Sequence, residues 1–185
     1  MSVEIALFGR LKAEVAATKS TGVVNTNGTA VVWVSGDKFD SRWAGQPVTI
    51  NGVQYAVASV ATDESLTLYS TAGVQAGVTY AFYRVYGATA PQSVVKPYIV
   101  YHKLSPGREY SHDGFSKLSR SRVQISCYGE TYGSAKQVAA QVIAAMESWQ
   151  AGGVRFAPLA GEQDLFEQDT GLYHVPVDFF VHFEH

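Results

Sequence analysis

The closing stretch Tyr173-His174-Val175-Pro176-Val177-Asp178-Phe179-Phe180-Val181-His182-Phe183-Glu184 decides the fold. Tyr, Val and Phe occupy every second position, and mostly polar residues lie between them. This period of two is typical of a β-strand with one buried face. Because proline cannot donate a hydrogen bond to a strand ladder, we expect Pro176 to lie at a sheet edge. Residues 154–167 can pair with this strand across the turn at Gln168–Gly171.

Two more strands and two helices are predicted near this strand. Lys96–Leu104 and Arg122–Gly129 alternate as half-buried strands, and the polar stretch Ser105–Ser121 between them is predicted to form a long hairpin tip. Ser134, with Gln137 three residues later, indicates a capping box that begins a helix ended by Gly152-Gly153. A first helix over residues 2–17, capped by Ser2, is predicted from the four-residue spacing of Val3, Leu7, Leu11 and Val15.

Residues 22–83 have a different character, with short β-branched and aromatic runs between Gly, Asn and Asp turns. Asn51-Gly52 between two such runs is a hairpin signal. We interpret the region as a compact β barrel or roll whose core takes up Trp33, Trp43, Tyr55 and Tyr69. The predicted strands are Ala30–Val34, Pro47–Asn51, Gln54–Val60, Ser65–Tyr69 and Val78–Tyr83.

These elements together predict an α+β fold, with two helices packed on a mainly antiparallel sheet in the order α-β-β-α-β-β. The all-β region interrupts that order. The predicted domains are therefore a discontinuous α+β domain, residues 1–21 plus 84–185, and an inserted small β domain, residues 22–83.

Composition narrows the functional classes. Hydrophobic residues make up 46% of the 185 residues and charged residues 16%, as expected for an ordered globular protein. A net charge of −2 provides no general attraction to nucleic acid. Cys127 is the single cysteine, so an intrachain disulfide is excluded. The chain opens without a signal-peptide pattern and has no long apolar run, so we expect folding in a reducing cytoplasm without a membrane span.

No motif in the sequence requires chemistry. His102, Cys127 and Asp178 have the residue types of a thiol-protease triad, but Cys127 continues an apolar strand face, where a free cysteine acts as a small hydrophobe. His112-Asp113 has no further ligand at metal-binding spacing. Phosphate-binding loops, dinucleotide fingerprints and nucleophile elbows are missing. We therefore predict no catalytic, cofactor-binding or metal-binding residues.

The outer segments resemble the phage tail-completion family, whose members include tail-terminator and head–tail joining proteins. The resemblance covers about 120 residues and depends on the order of its parts more than on any single motif. This sequence departs from the family between Ala17 and Arg84, where the β region resembles add-on modules of phage structural proteins. The resemblance rests on the helices at 2–17 and 134–149 and on Arg84–Gly87, Ala90-Pro91, Lys96–Tyr101, Arg122–Tyr128 and Asp169–Tyr173.

The resemblance implies a structural, non-enzymatic virion protein of a tailed phage or prophage, assembled in the host cytoplasm. Family members form rings, commonly hexamers, that end the tail tube and meet the head connector. The implied partners are further copies of the chain, the tail tube protein and a head–tail connector protein, with DNA passing through the lumen unbound. The expected interface residues are Arg108, Glu109, His112, Asp113, Lys117 and Arg120 of the hairpin, with Pro176 and Phe180 of the last strand.

Three alternatives remain open at the level of sequence. The chain could be another neck protein of the same particle, such as a stopper. It could be a tail-mounted binding module whose β insert recognises a carbohydrate or a partner protein, which predicts exposed aromatic side chains clustered on residues 22–83. A hydrolase that uses Cys127 would instead require an accessible, reactive thiol.

Overall fold

The structure is a computed structural model that describes residues 2–112 and 114–184, with side chains for all of these except residues 106, 108–111 and 114–117. The chain divides into two compact units. The barrel unit comprises Lys19–Arg84 and Pro91–Val95, and the sheet unit comprises Met1–Thr18, Val85–Ala90 and Lys96–His185.

The barrel unit is a closed barrel of six antiparallel strands. Its order is β1-β2-β5-β4-β3-β6, and the first and last strands pair to close it. Trp43 and Phe82 stack at 4.2 Å between ring centroids in its centre, and Phe39 and Tyr80 pack around them. The strands are β1 Lys19–Asn27, β2 Ala30–Gly36, β3 Pro47–Ile50, β4 Val53–Thr62, β5 Ser65–Leu68 and β6 Val74–Tyr83.

The sheet unit contains a seven-stranded sheet with the order β10-β13-β9-β8-β7. Two more short strands, β11 and β12, pair with β13 on the side that β10 occupies, since β9 takes the other side. All neighbours are antiparallel except β7 and β8, which are parallel. The strands are β7 Val85–Gly87, β8 Tyr98–Ser111, β9 Gly114–Gly129, β10 Val154–Phe156, β11 Leu159–Glu162, β12 Leu165–Glu167 and β13 Leu172–Glu184.

Helices α1 Val3–Glu14 and α2 Tyr132–Glu147 belong to the sheet unit. Ser2 caps α1, as predicted. Helix α2 begins earlier than predicted: Thr131 is its cap, and Ser134 completes the capping box from the third helical position. The apolar faces of the helices and one face of the sheet form a common core, in which Ile125, Cys127, Val177 and Phe179 are fully buried. The opposite face of the sheet, with Tyr98, Tyr128 and His174, is called the helix-free face below.

The prediction of an α+β fold with the order α-β-β-α-β-β is wrong, because the protein is mostly β. The described residues form thirteen strands and two α-helices. Residues 105–121, predicted as a hairpin tip, continue both strands almost to the turn, and residues 154–167 form three strands. Alternation of apolar residues could not reveal them, because their pairing depends on backbone hydrogen bonds and many of their side chains are polar or exposed.

Candidate functional site

The hairpin of β8 and β9 leaves one edge of the sheet open. The parallel strand β7 pairs with β8 only as far as Tyr101, and no other described residues form a strand beside β8 beyond that point. On the other side, β9 stays paired with β13 as far as Leu118, which lies opposite Glu184. We call residues 102–111 of β8 and 114–122 of β9 the arm. Its β8 side presents backbone groups without a strand partner, the usual substrate for edge-to-edge association.

The opposite edge of the sheet consists of three short strands in place of one long one. We call β10, β11 and β12, residues 154–167, the broken edge. Four of its large apolar side chains are between 38% and 53% exposed, a high proportion for so short a stretch. They are Phe156, Leu159, Leu165 and Phe166.

The structure corrects the predicted position of Pro176, which is buried and lies inside the sheet. On one side it pairs with Ser126 of β9, and on the other its carbonyl oxygen accepts from the backbone N–H of Gln163 at 3.2 Å. Gln163 lies between β11 and β12. The N–H that proline lacks would therefore point to the gap between two short strands, where no continuous ladder needs it.

Arg120 and Phe180, both predicted interface residues, lie together on the helix-free face. The guanidinium carbon of Arg120 is 3.9 Å from the centroid of the Phe180 ring, a cation–π contact. Arg122 forms an ion pair with Asp178 nearby, at 2.7 Å. His112 is exposed beside the hairpin turn. The side chains of Arg108, Glu109 and Lys117, and all of Asp113, lie outside the described residues.

Sequence reasoning missed a row of aromatic side chains across the helix-free face. Tyr98 and Tyr128 stack at 4.7 Å, and Tyr128 stacks on His174 at 4.3 Å. The three are direct cross-strand neighbours in β8, β9 and β13. The sequence indicates that each of the three residues lies on a strand, but it does not give the strand register that aligns them.

Burial changes the titration of this row. Desolvation raises the pKa of Tyr98 to about 12, and the neighbouring Tyr128 and Glu167 act in the same direction. Desolvation also lowers the pKa of His174, and the Glu167 carboxylate, 3.2 Å from its Nδ1, opposes this only in part. His174 is therefore mainly neutral at pH 7, and the row is held by stacking more than by charge.

The three residues with triad chemistry do not meet. His102 and Asp178 lie on either side of Gln124 in cross-strand register, whereas Cys127 lies in the hydrophobic core. Successive strand residues point to opposite faces, so the thiol points away from the face that carries the other two. Burial also raises the pKa of the Cys127 thiol, which disfavours the reactive thiolate.

Within residues 2–112 and 114–184, no group of three or more His, Cys, Asp or Glu side chains is arranged to hold a metal ion. Neither of the two α-helices in this part of the chain combines the length and apolarity needed to span a bilayer.

The aromatic residues of the barrel unit do not form an exposed cluster. Trp43 is fully buried, and Trp33 and Tyr55 are partly buried against the barrel core. The ammonium of Lys38 lies 3.7 Å from the centroid of the Trp33 ring. Of these and Tyr69, only Tyr69 is largely exposed, at 72%. The predicted core role is confirmed for Trp43 and wrong for Tyr69.

The comparisons with known proteins identify the family of this chain. Residues 66–184, well over half of the chain, match the family model described as Tail completion protein gp17. The chain therefore belongs to the phage tail-completion family and is a structural component of the virion tail. The predicted family is confirmed. The matched range begins at Leu66 in the barrel unit and does not include α1.

Among solved structures, a virion chain aligns with part of this chain. It is a chain of the "Virion of native gene transfer agent (GTA) particle", with 16% sequence identity and a TM-score of 0.47. The similarity covers 55% of this chain and 79% of that chain. No curated protein matches the sequence.

Proposed function

We propose that this protein is a tail-terminator subunit that closes into a ring, commonly a hexamer in this family, at the end of the tail tube and joins the tail to the head. The observation that carries this proposal is that its sheet has two unlike open edges, the arm and the broken edge. Unlike patches generate head-to-tail contacts, and such contacts close into rings when the rotation between copies allows it.

The proposed partners are other copies of the chain, the tail tube protein and a head–tail connector protein. DNA passes through the lumen in this proposal. The net charge of −2 supports a conduit that does not hold DNA, because a binding groove would need many cationic contacts with phosphates.

The proposed role includes no catalysis. Cys127 is buried, and burial raises the pKa of its thiol, which disfavours the reactive thiolate. Both observations support a structural role for this residue. Alkylation of the native protein tests this: Cys127 should react only as the protein unfolds, whereas rapid modification of the folded protein would contradict it.

We further propose that residues 22–83 are a module inserted into a tail-completion domain formed by residues 1–21 and 84–185. The barrel has its own aromatic core and closes all of its strands on one another, which supports independent folding of the module. A surface insertion of this length adds little closure entropy to the host domain. In the assembled ring, the module is expected outside the bore, because a folded barrel in the bore would obstruct DNA.

The direct test combines assembly with function. Light scattering across a range of protein concentrations should detect a ring, and electron microscopy should show it at the ends of tail tubes. Particles made without the protein should carry tubes of irregular length that do not join heads, and adding the wild-type protein should restore both properties. Tubes of normal length, joined to heads in its absence, would contradict the proposal.

A further inference from the structure

We propose that the arm of one copy docks on the broken edge of the next copy, so that these two surfaces are the complementary halves of the ring contact. This inference rests on the proposed function, because it needs copies that associate head to tail.

The open side of β8 limits how the contact forms. The register of β8 against β9 shifts between Lys103 and Ser105 and again between Arg108 and Tyr110. Pro106, between these shifts, has no N–H to donate. Bulges and proline at an edge prevent indiscriminate strand pairing. A partner that binds here must therefore fit the side chains and cannot rely on a long backbone ladder.

Apolar side chains give the contact a driving force. On the arm, Leu104 is 48% exposed and Leu118 is 40% exposed. On the broken edge, Leu165 faces the same side of the sheet as His174, and Phe156 stacks on His182 at 4.1 Å while remaining half exposed. Burial of such groups between copies stabilises association roughly in proportion to the apolar area removed from water, about 25 cal/mol per Å².

Charge selects the pairing of unlike surfaces. Residues 102–122 contain five Lys or Arg residues and two acidic residues, a net +3. Residues 154–167 contain one Arg and three acidic residues, a net −2. Glu4 and Asp178 form ion pairs with the arm, and Lys136 and Glu184 form ion pairs with the broken edge. Counting these partners leaves the arm at +1 and the edge at −2.

The same signs disfavour a symmetric dimer. A contact between two copies of the arm would bring like charges together, and so would a contact between two broken edges. Electrostatic complementarity mainly sets specificity, orientation and association rate, which a ring of identical subunits requires. The second copy is therefore bound by its opposite edge, and repetition of that contact builds a ring or an open filament.

Cysteine cross-linking tests the pairing in the full-length protein. Cys127 is fully buried, so cysteines introduced on the surface are the accessible thiols. Under mild oxidation the double variant Leu104→Cys/Leu165→Cys should give a ladder of covalent oligomers that ends at the closed ring. Each single variant alone should give none, and a mixture of the two single variants should give mainly dimers of one copy of each.

The matched control is Ile5→Cys/Leu165→Cys. Ile5 is an exposed apolar residue of α1, outside both surfaces, and this pair should give no ladder. Dimers of Leu104→Cys alone would show a symmetric contact and overturn the inference. Lack of any ladder from Leu104→Cys/Leu165→Cys would overturn it as well. Light scattering on the same sample separates the two proposals. A ring that forms without the cross-link contradicts only the pairing of the two surfaces. If light scattering detects no ring, and the particle assay shows that the protein does not join tails to heads, the proposed function is contradicted as well.

Discussion

The barrel unit and the sheet unit are both built mainly from antiparallel strands, but the sheet of the barrel unit is closed and that of the sheet unit is open. Each of the six barrel strands has two neighbours, and the pairing of β1 with β6 leaves no edge in that sheet. The sheet unit ends in the arm on one side and in the broken edge on the other. A closed barrel leaves no strand edge for a neighbour, whereas in the proposed ring the open sheet gains stability from a neighbouring copy.

The largest expected effect comes from Trp43→Ala, which tests whether the barrel folds on its own core. Trp43 is fully buried and stacked on Phe82, so truncation should cost about 3–5 kcal/mol of barrel stability. Hydrogen exchange followed by mass spectrometry should show lost protection in residues 19–84 and unchanged protection in β9 and β13. Tyr69→Ala, at an exposed position, is the control. Equal loss of protection in both units would show that the barrel does not fold on its own core.

A second prediction concerns the core of the sheet unit. A Cβ atom at Gly129 would lie 2.3 Å from Oγ of Ser134 and 2.7 Å from the backbone nitrogen of Ala135, both in the first turn of α2. Gly129→Ala should therefore lower the free energy of unfolding of the sheet unit by about 1–3 kcal/mol. Gly133→Ala, where a Cβ meets nothing within 4 Å, is the matched control. Chemical denaturation of the two variants should separate them, and equal midpoints would contradict the packing described here.

A third, smaller effect concerns the charges of the open edges. Arg120→Glu reverses a charge on the arm and should weaken assembly about tenfold at low salt, or about 1.4 kcal/mol, with a smaller effect at high salt. Arg155→Glu adds negative charge to the broken edge, where its ion pair with Glu184 is exposed, and should leave assembly unchanged or slightly stronger. Sedimentation at two salt concentrations measures both. If Arg155→Glu weakened assembly more than Arg120→Glu, the assignment of a positive arm and a negative broken edge would be wrong.

The smallest effect is the pH dependence that arises from His174. Its pKa in the folded protein is lowered, mainly by burial, so the unfolded chain binds the proton first as the pH falls. This contribution to stability is complete above the unfolded-state pKa of about 6.5 and is lost as the pH falls toward the folded-state pKa. His174→Gln should flatten that part of the stability curve between pH 7 and 5. An unchanged slope would mean that His174 is not desolvated as described.

Sequence patterns predicted local elements better than their arrangement. The helix cap at Ser2 and the strand at residues 173–184 follow from residue types and their spacing. The sequence analysis underestimated the length of both strands of the arm, because polar strands without alternating apolar residues resemble loops. Pro176 was assigned to an edge on a sound rule, but the rule is also satisfied by a gap between two short strands, and only the register shows that gap.

The sequence by itself determined the family, the apolar faces of the main elements and the position of Cys127 on one of those faces, because these depend on the order and periodicity of residues. The tertiary structure decided that the chain is mostly β, that one sheet closes and the other keeps two edges, and which side chains meet on the helix-free face. These features depend on strand register and on pairing between distant segments. A shift of one residue would exchange the faces of a strand without changing a letter of the sequence.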